Sequence, residues 1–80
     1  MPPGTFEGKH YHKKSRQFFY ILSGEATIET AEGIFNLKRQ EGIEIQPMMP
    51  HKISNKSTDD LVFIEVSNPK SHGDKIVLEV

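Results

Sequence analysis

The chain has 80 residues, enough for one small domain spanning 1–80, and a core of that size buries only about 60 to 65% of the surface its unfolded chain exposes. It contains no cysteine, which excludes the disulfides that staple many small secreted scaffolds and leaves oligomerisation or a bound metal to support the fold. A net charge of −1 offers no field to draw in a polyanion, so no nucleic-acid partner is expected. No basic start leads into an apolar stretch and no apolar run approaches the roughly 18 residues of a membrane span, so the chain reads as soluble and cytoplasmic.

Along the chain the apolar period is two, which predicts strands over 16–22, 25–30, 34–38, 43–45, 51–54, 61–66 and 75–80. The first, with "FFYIL", is apolar on both sides: Phe19 and Ile21 point one way, Phe18, Tyr20 and Leu22 the other. Such a strand needs two covers, and in so small a domain the second is most simply another subunit, so a homodimer packed on Phe18, Tyr20 and Leu22 is expected. The alternative cover is the chain's own last strand. Strand 25–30 places Ala26 and Ile28 opposite Glu25, Thr27 and Glu29, and strand 43–45 places Glu44 opposite two isoleucines, so these have one wet side. Gly, Pro, Asn and acidic clusters separate the strands, and no segment of useful length has a helical period. Seven short strands at this spacing predict an all-β sandwich or small barrel.

Ahead of the first predicted strand stands "KHYHKK". In an extended segment His10 and His12 face the same way about 6.5 to 7 Å apart and can aim at one point. A bare His-x-His also occurs on surfaces and turn ends. Gln17, on the face of Phe19 and Ile21, adds an amide oxygen, and "PMMPHKISN" adds His51 after a proline-defined turn.

These residues resemble the motifs of the cupin superfamily, small double-stranded β-helix or jelly-roll barrels. Its first motif is glycine, five residues, His-x-His, three or four residues, glutamate, six residues, glycine. Gly4, His10, His12, position 17 and Gly24 meet every spacing, with Gln17 in place of the glutamate. The second motif matches through His51, Asn55 and Pro50, but Gln46 replaces a proline, Met48 a glycine, and Gln40-Glu41 a frequent Gly-Asp. The resemblance implies a divalent transition metal (iron, manganese, nickel, copper or zinc) held by His10, His12, Gln17 and His51. It also implies a small-molecule substrate or ligand, since cupins include dioxygenases, isomerases, epimerases and decarboxylases. Neutral Gln17 cannot take a proton, which would leave the ion its full +2 charge. Two function classes stay open: a metalloenzyme acting on a small anionic or sugar-like substrate, and a non-catalytic module that binds a small ligand or metal. A polar cavity that has lost its metal is the competing reading of the cluster.

The remaining candidates are weaker. Lys9, Lys13, Lys14 and Arg16 either draw an anion to the barrel mouth or are a solvated loop. Met48 and Met49 read as gap-fillers in a turn, Phe6, Phe19 and Phe35 as core or cavity wall, Asn55 as a turn cap, and His72 as part of a turn outside the site. Cupins usually carry a strand or two before the first motif, where this sequence offers only 1–5. An incomplete barrel, or an edge supplied by a partner, is therefore also expected.

Overall fold

The computed structural model describes residues 1–69 and 75–78. Eight strands follow one another: β1 His10–His12, β2 Arg16–Ser23, β3 Ala26–Thr30, β4 Gly33–Leu37, β5 Gly42–Ile45, β6 His51–Ser54, β7 Val62–Asn68 and β8 Lys75–Val77. They form two antiparallel sheets, one in the order β4-β3-β6-β1-β8 and one in the order β5-β2-β7. No helix occurs among the described residues, so none there could cross a membrane. The all-β expectation holds, and the pattern is that of a double-stranded β-helix.

Period-two patterning builds the core between the sheets. Phe19 and Ile21 of β2, Ala26 and Ile28 of β3, Ile45 of β5, Ile53 of β6 and Leu61 are buried, and Leu37, Ile43, Met49 and Phe63 pack against them. Each fully buried Phe, Ile or Leu side chain contributes roughly 1.5 to 3 kcal/mol by leaving water. Phe6 and Phe35 are not among them. They are 60% and 39% exposed, and Lys52 Nζ sits 4.3 Å from the Phe6 ring centroid on the outside. Of the three phenylalanines expected in core or cavity, only Phe19 is there.

Two strand expectations need correction. Residues 10–12 are themselves a strand, β1, inserted between β6 and β8 through the registers His10↔His51 and His12↔Lys75. Three residues flanked by lysines carry too short an apolar alternation to announce a strand, and the pairing comes from neighbours distant in sequence. Upstream of β1, a bridge pairs Phe6 with Ser54, Glu7 N–H donates to the Ile53 carbonyl and Gly4 N–H to that of Asn55. The segment before β1 thus lies along β6 and helps to close the barrel. The second correction concerns cover for β2. The last strand, β8, pairs with β1 in the other sheet and so cannot lie over Phe18, Tyr20 and Leu22. The outer end of the predicted strand, 79–80, and His72 fall outside the described residues.

The registers Phe18↔Val66 and Tyr20↔Ile64 set β2 and β7 side by side with these side chains outward. Phe18, Leu22, Val62, Ile64 and Val66 are 43 to 53% exposed, a continuous apolar surface rather than scattered side chains.

Candidate metal centre

Strand geometry gathers three imidazoles at one place. His10 and His12 are both inward on β1, and His51, the first residue of β6, is the direct cross-strand neighbour of His10. The turn before β6 is held by Met48 N–H donating to the His12 carbonyl at 2.7 Å, which ties the start of β6 to the end of β1. Ring centroids lie 5.1 Å apart for His10 and His12, 4.4 Å for His10 and His51, and 6.0 Å for His12 and His51. One ligating nitrogen from each ring can be chosen so that all lie within 4.8 Å of one another. Phe19 closes the inner side with an edge-on contact to His51, centroids 6.0 Å apart.

Backbone carbonyls orient two of the rings. His10 Nδ1–H donates to the Gly8 carbonyl at 2.7 Å, and His51 Nδ1–H to that of Met49 at 2.9 Å. Each bond puts the proton on Nδ1 and leaves the Nε2 lone pair for a ligand, the arrangement usual for metal-binding imidazole. Nε2 of His51 is buried without a hydrogen-bond partner, and Nε2 of His12 is buried as well. Gln17 is inward on β2 and buried. Its Nε2–H donates to the Ser67 hydroxyl at 3.2 Å, and its Oε1 is buried without a partner. Leaving such acceptors unsatisfied costs about 1 to 3 kcal/mol each, and a divalent cation would satisfy them together. The three histidines therefore fit a borderline divalent transition metal through their ring nitrogens.

Burial also sets the protonation of the rings. It pushes the His51 pKa down to about 4, against the opposing bond to Met49, and lowers that of His10 for the same reason. The unfolded chain binds a proton near pH 6.5, so His51 contributes full stability above that pH and loses it as pH falls toward 4. The change is on the order of 3 kcal/mol at about 1.4 kcal/mol per pH unit. Urea titrations of metal-free protein between pH 6.5 and 4.5 are expected to show a falling midpoint, with a flatter slope in His51→Gln. Equal slopes would mean His51 titrates normally.

Two further inward positions near the histidines carry charges, Glu65 and Lys75. On β7 the inner face reads Phe63, Glu65 and Ser67, opposite Ile21, Phe19 and Gln17. Glu65 is thus a carboxylate at an inward position. It stays solvent-accessible because β7 is an edge strand. Desolvation raises its pKa, nearby Glu7 adds to the rise, and His12 and Lys75 oppose it. On β8, Lys75 is the cross-strand neighbour of His12 and shares its inward face. The alternation of "VFIEV" could have flagged Glu65 as a charge at an apolar position, but only the register shows which face is inward. Of the basic residues near the histidines in sequence, Arg16 is outward and pairs with Glu44 at 3.6 Å, and Lys9, Lys13 and Lys14 are exposed.

A family model for the cupin domain matches residues 1–67, which contain all four candidate ligands. The chain belongs to the cupin family. It is similar to the uncharacterised protein MJ1618 of Methanocaldococcus jannaschii, 34% identical over 80 residues, taking in 99% of this chain and 64% of that protein. The cupin chain therefore spans less than two thirds of that relative's length. Among solved structures it resembles an uncharacterised conserved protein with a double-stranded β-helix domain from Klebsiella pneumoniae, with TM-score 0.86 and 22% identity over 100% of this chain and 66% of that one. It also resembles an oxalate decarboxylase of Lactobacillus farciminis in its formate complex, with TM-score 0.83 and 26% identity over 98% of this chain and 24% of that one.

Membership also explains the poorly matching second motif. Met48, where the cupin pattern has glycine, has φ 70°, and Gln40, where it often has glycine, has φ 67°. The glycine backbone conformation persists without the glycine, at roughly 1 to 2 kcal/mol per site. Met48 itself is exposed, while Met49 packs on the core. Asn55 caps a turn as expected. It is buried, its side-chain amide donates to the carbonyls of Met1 and Asp59, and its Oδ1 accepts from Ser57 N–H and hydroxyl.

Proposed function

We propose that this cupin holds one divalent transition metal on His10, His12 and His51, with Gln17 Oε1 as a fourth donor, and acts on a small anionic or sugar-like substrate. The chemistry is of the dioxygenase or isomerase type. The observation that carries this reading is the gathering of three buried imidazoles whose ligating nitrogens can lie within 4.8 Å of one another; the buried partnerless acceptors His51 Nε2 and Gln17 Oε1 add to it. When bound, an iron, manganese, nickel, copper or zinc ion would polarise a carbonyl or enediol, or activate dioxygen. The Gly8 and Met49 carbonyls hold the imidazoles in the ligating tautomer. Ser67 turns the Gln17 amide so that its oxygen is left over. All four side chains are neutral donors, so none offsets the ion's charge, which favours an anionic ligand. The likeness to an oxalate decarboxylase supports a ligand of carboxylate size.

A second reading, a non-catalytic module for a small ligand or metal, is favoured by Gln17 itself, which cannot exchange a proton where cupin enzymes often carry glutamate. Metal analysis of protein purified without a histidine tag is expected to find about one equivalent. None, together with unchanged titrations in His12→Ala, sinks both metal readings. Oxygen uptake by iron-loaded protein over a panel of diols and α-keto acids then separates them. Turnover lost in His12→Ala supports the enzyme, and silence across the panel favours the binding module.

We infer in addition that the apolar outer face of β2 and β7 is the contact of a homodimer. The face is edged by Arg16 and Glu44, one charge of each sign, which a two-fold axis can pair across the interface. Light scattering after size exclusion is expected to give twice the chain mass, and Ile64→Glu a monomer with the same circular dichroism. A monomeric parent at micromolar concentration removes the dimer.

A further inference from the structure

Among the described residues β4, β5, β7 and β8 are edge strands. Three of them carry a charge, Glu44, Glu65 and Lys75, and β4 carries none. Its sequence "GIFNL" pairs with β3 in unbroken register from Ala26↔Leu37 to Thr30↔Gly33. Natural edges are blunted by charge, proline or a bulge, and β4 has none of these along its length. Its side chains are open on both faces. Ile34 on the outer face is 64% exposed, and Phe35, which shares the inner face with buried Ile28, is still 39% exposed. Charges stand just beyond the strand, one of each sign: Glu32 in the turn before it and Lys38 after it, both exposed. Register also determines which backbone groups are unused. Residues 31 and 32 alone join β3 to β4, so Thr30 and Gly33 form a hydrogen-bonded pair. Alternation along the antiparallel ladder then turns the N–H and C=O of Gly33, Phe35 and Leu37 toward β3, and those of Ile34 and Asn36 off the free edge.

We infer that β4 is a self-pairing edge, at which a second copy of this chain adds its own β4 antiparallel about a two-fold axis through Phe35. In that register Ile34 exchanges main-chain hydrogen bonds with the partner's Asn36, and Asn36 with the partner's Ile34. Phe35 meets its own twin at a non-hydrogen-bonded position, where side chains come closest, and each ring covers the exposed part of the other. The same axis sets Glu32 opposite the partner's Lys38, and Lys38 opposite the partner's Glu32. Only an axis at Phe35 does so. Moved to Gly33 or Leu37, it would leave both charges opposite uncharged residues. The contact is independent of the outer face of β2 and β7, which belongs to the other sheet. It joins one short strand from each copy through a few main-chain hydrogen bonds of modest net worth, so it forms at about 100 µM and above rather than at micromolar concentration.

The test is sedimentation equilibrium of the Ile64→Glu protein, in which the other apolar contact is disabled. Between about 5 and 500 µM its mass is expected to rise from one chain toward two. Asn36→Pro, added to that background, removes an off-edge N–H and leaves the ladder with β3 intact. It is expected to stay at one chain throughout, with parent-like circular dichroism. Glu32→Lys and Lys38→Glu are each expected to weaken the association at least about fivefold, and the two together to restore it, because the exchanged charges again face each other. An Ile64→Glu protein that remains monomeric up to about 500 µM overturns the inference, as does association that survives Asn36→Pro. Single charge variants that associate as their parent does, or a double variant that fails to recover, overturn it as well.

Discussion

His51→Ala is expected to lower the affinity for a divalent transition metal by more than about 100-fold. Removing a group that only orients a ligand already costs 10- to 100-fold, and His51 is a donor itself, at the centre of the cluster between His10 and Phe19. Its Nε2 is one of the two partnerless acceptors on which the site rests. The fold is expected to survive the change in the metal-free state, because the register of β6 with β3 runs through Thr27↔Ser54, Ile28↔Ile53 and Glu29↔Lys52 and does not depend on the imidazole. Competition titration with a chromogenic chelator, beside circular dichroism of the metal-free variant, measures both quantities. Parent-like affinity in a folded His51→Ala protein would place the metal elsewhere or nowhere.

Gly24→Ala is expected to cost about 3 kcal/mol or more, a large part of the stability of a domain this size. Gly24 has φ +83°, and a Cβ there would stand 2.5 Å from the Asp60 carbonyl oxygen and 3.1 Å from Leu61 Cα. The backbone at 60–61 cannot step aside. Leu61 is buried, its N–H donates to the Met1 carbonyl and its carbonyl accepts from the Met1 amino group. The neighbouring Asp59 carbonyl is held by Asn55. Left-handed strain and a clash with fixed backbone therefore add. Gly8→Ala, where nothing lies within 4 Å, is expected to change stability by no more than about 0.5 kcal/mol. Urea unfolding of the two variants gives the comparison, and similar midpoints would show that the chain relaxes around Gly24.

Most of the β-structure was legible because its signal is local. Alternation placed Phe19, Ile21, Ala26, Ile28 and Ile45 inward and the strands β2 to β7 within one or two residues of their ends. The spacing of Gly4, His10, His12, Gln17, Gly24 and His51 was legible through its resemblance to the cupin motifs. Strand β1 was not, since its order comes from pairing with residues some 40 and 65 positions away. The destination of β8 was not legible either, because the apolar pattern of a strand says which face is buried and nothing about which sheet it joins.

By itself, then, the sequence determined the fold class and the buried face of each longer strand, consequences of side-chain period and turn chemistry within short stretches, while the four candidate donors came from its resemblance to the cupin motifs. Only the tertiary structure decided that His10 and His51 are cross-strand neighbours whose ring nitrogens, with one of His12, can lie within 4.8 Å of one another. It alone left the outer face of β2 without a cover from the described residues, and it alone set Glu65 and Lys75 on inward positions of edge strands. Each of these depends on register between strands far apart in the chain, and register is set by the packing of the whole barrel rather than by any segment of it.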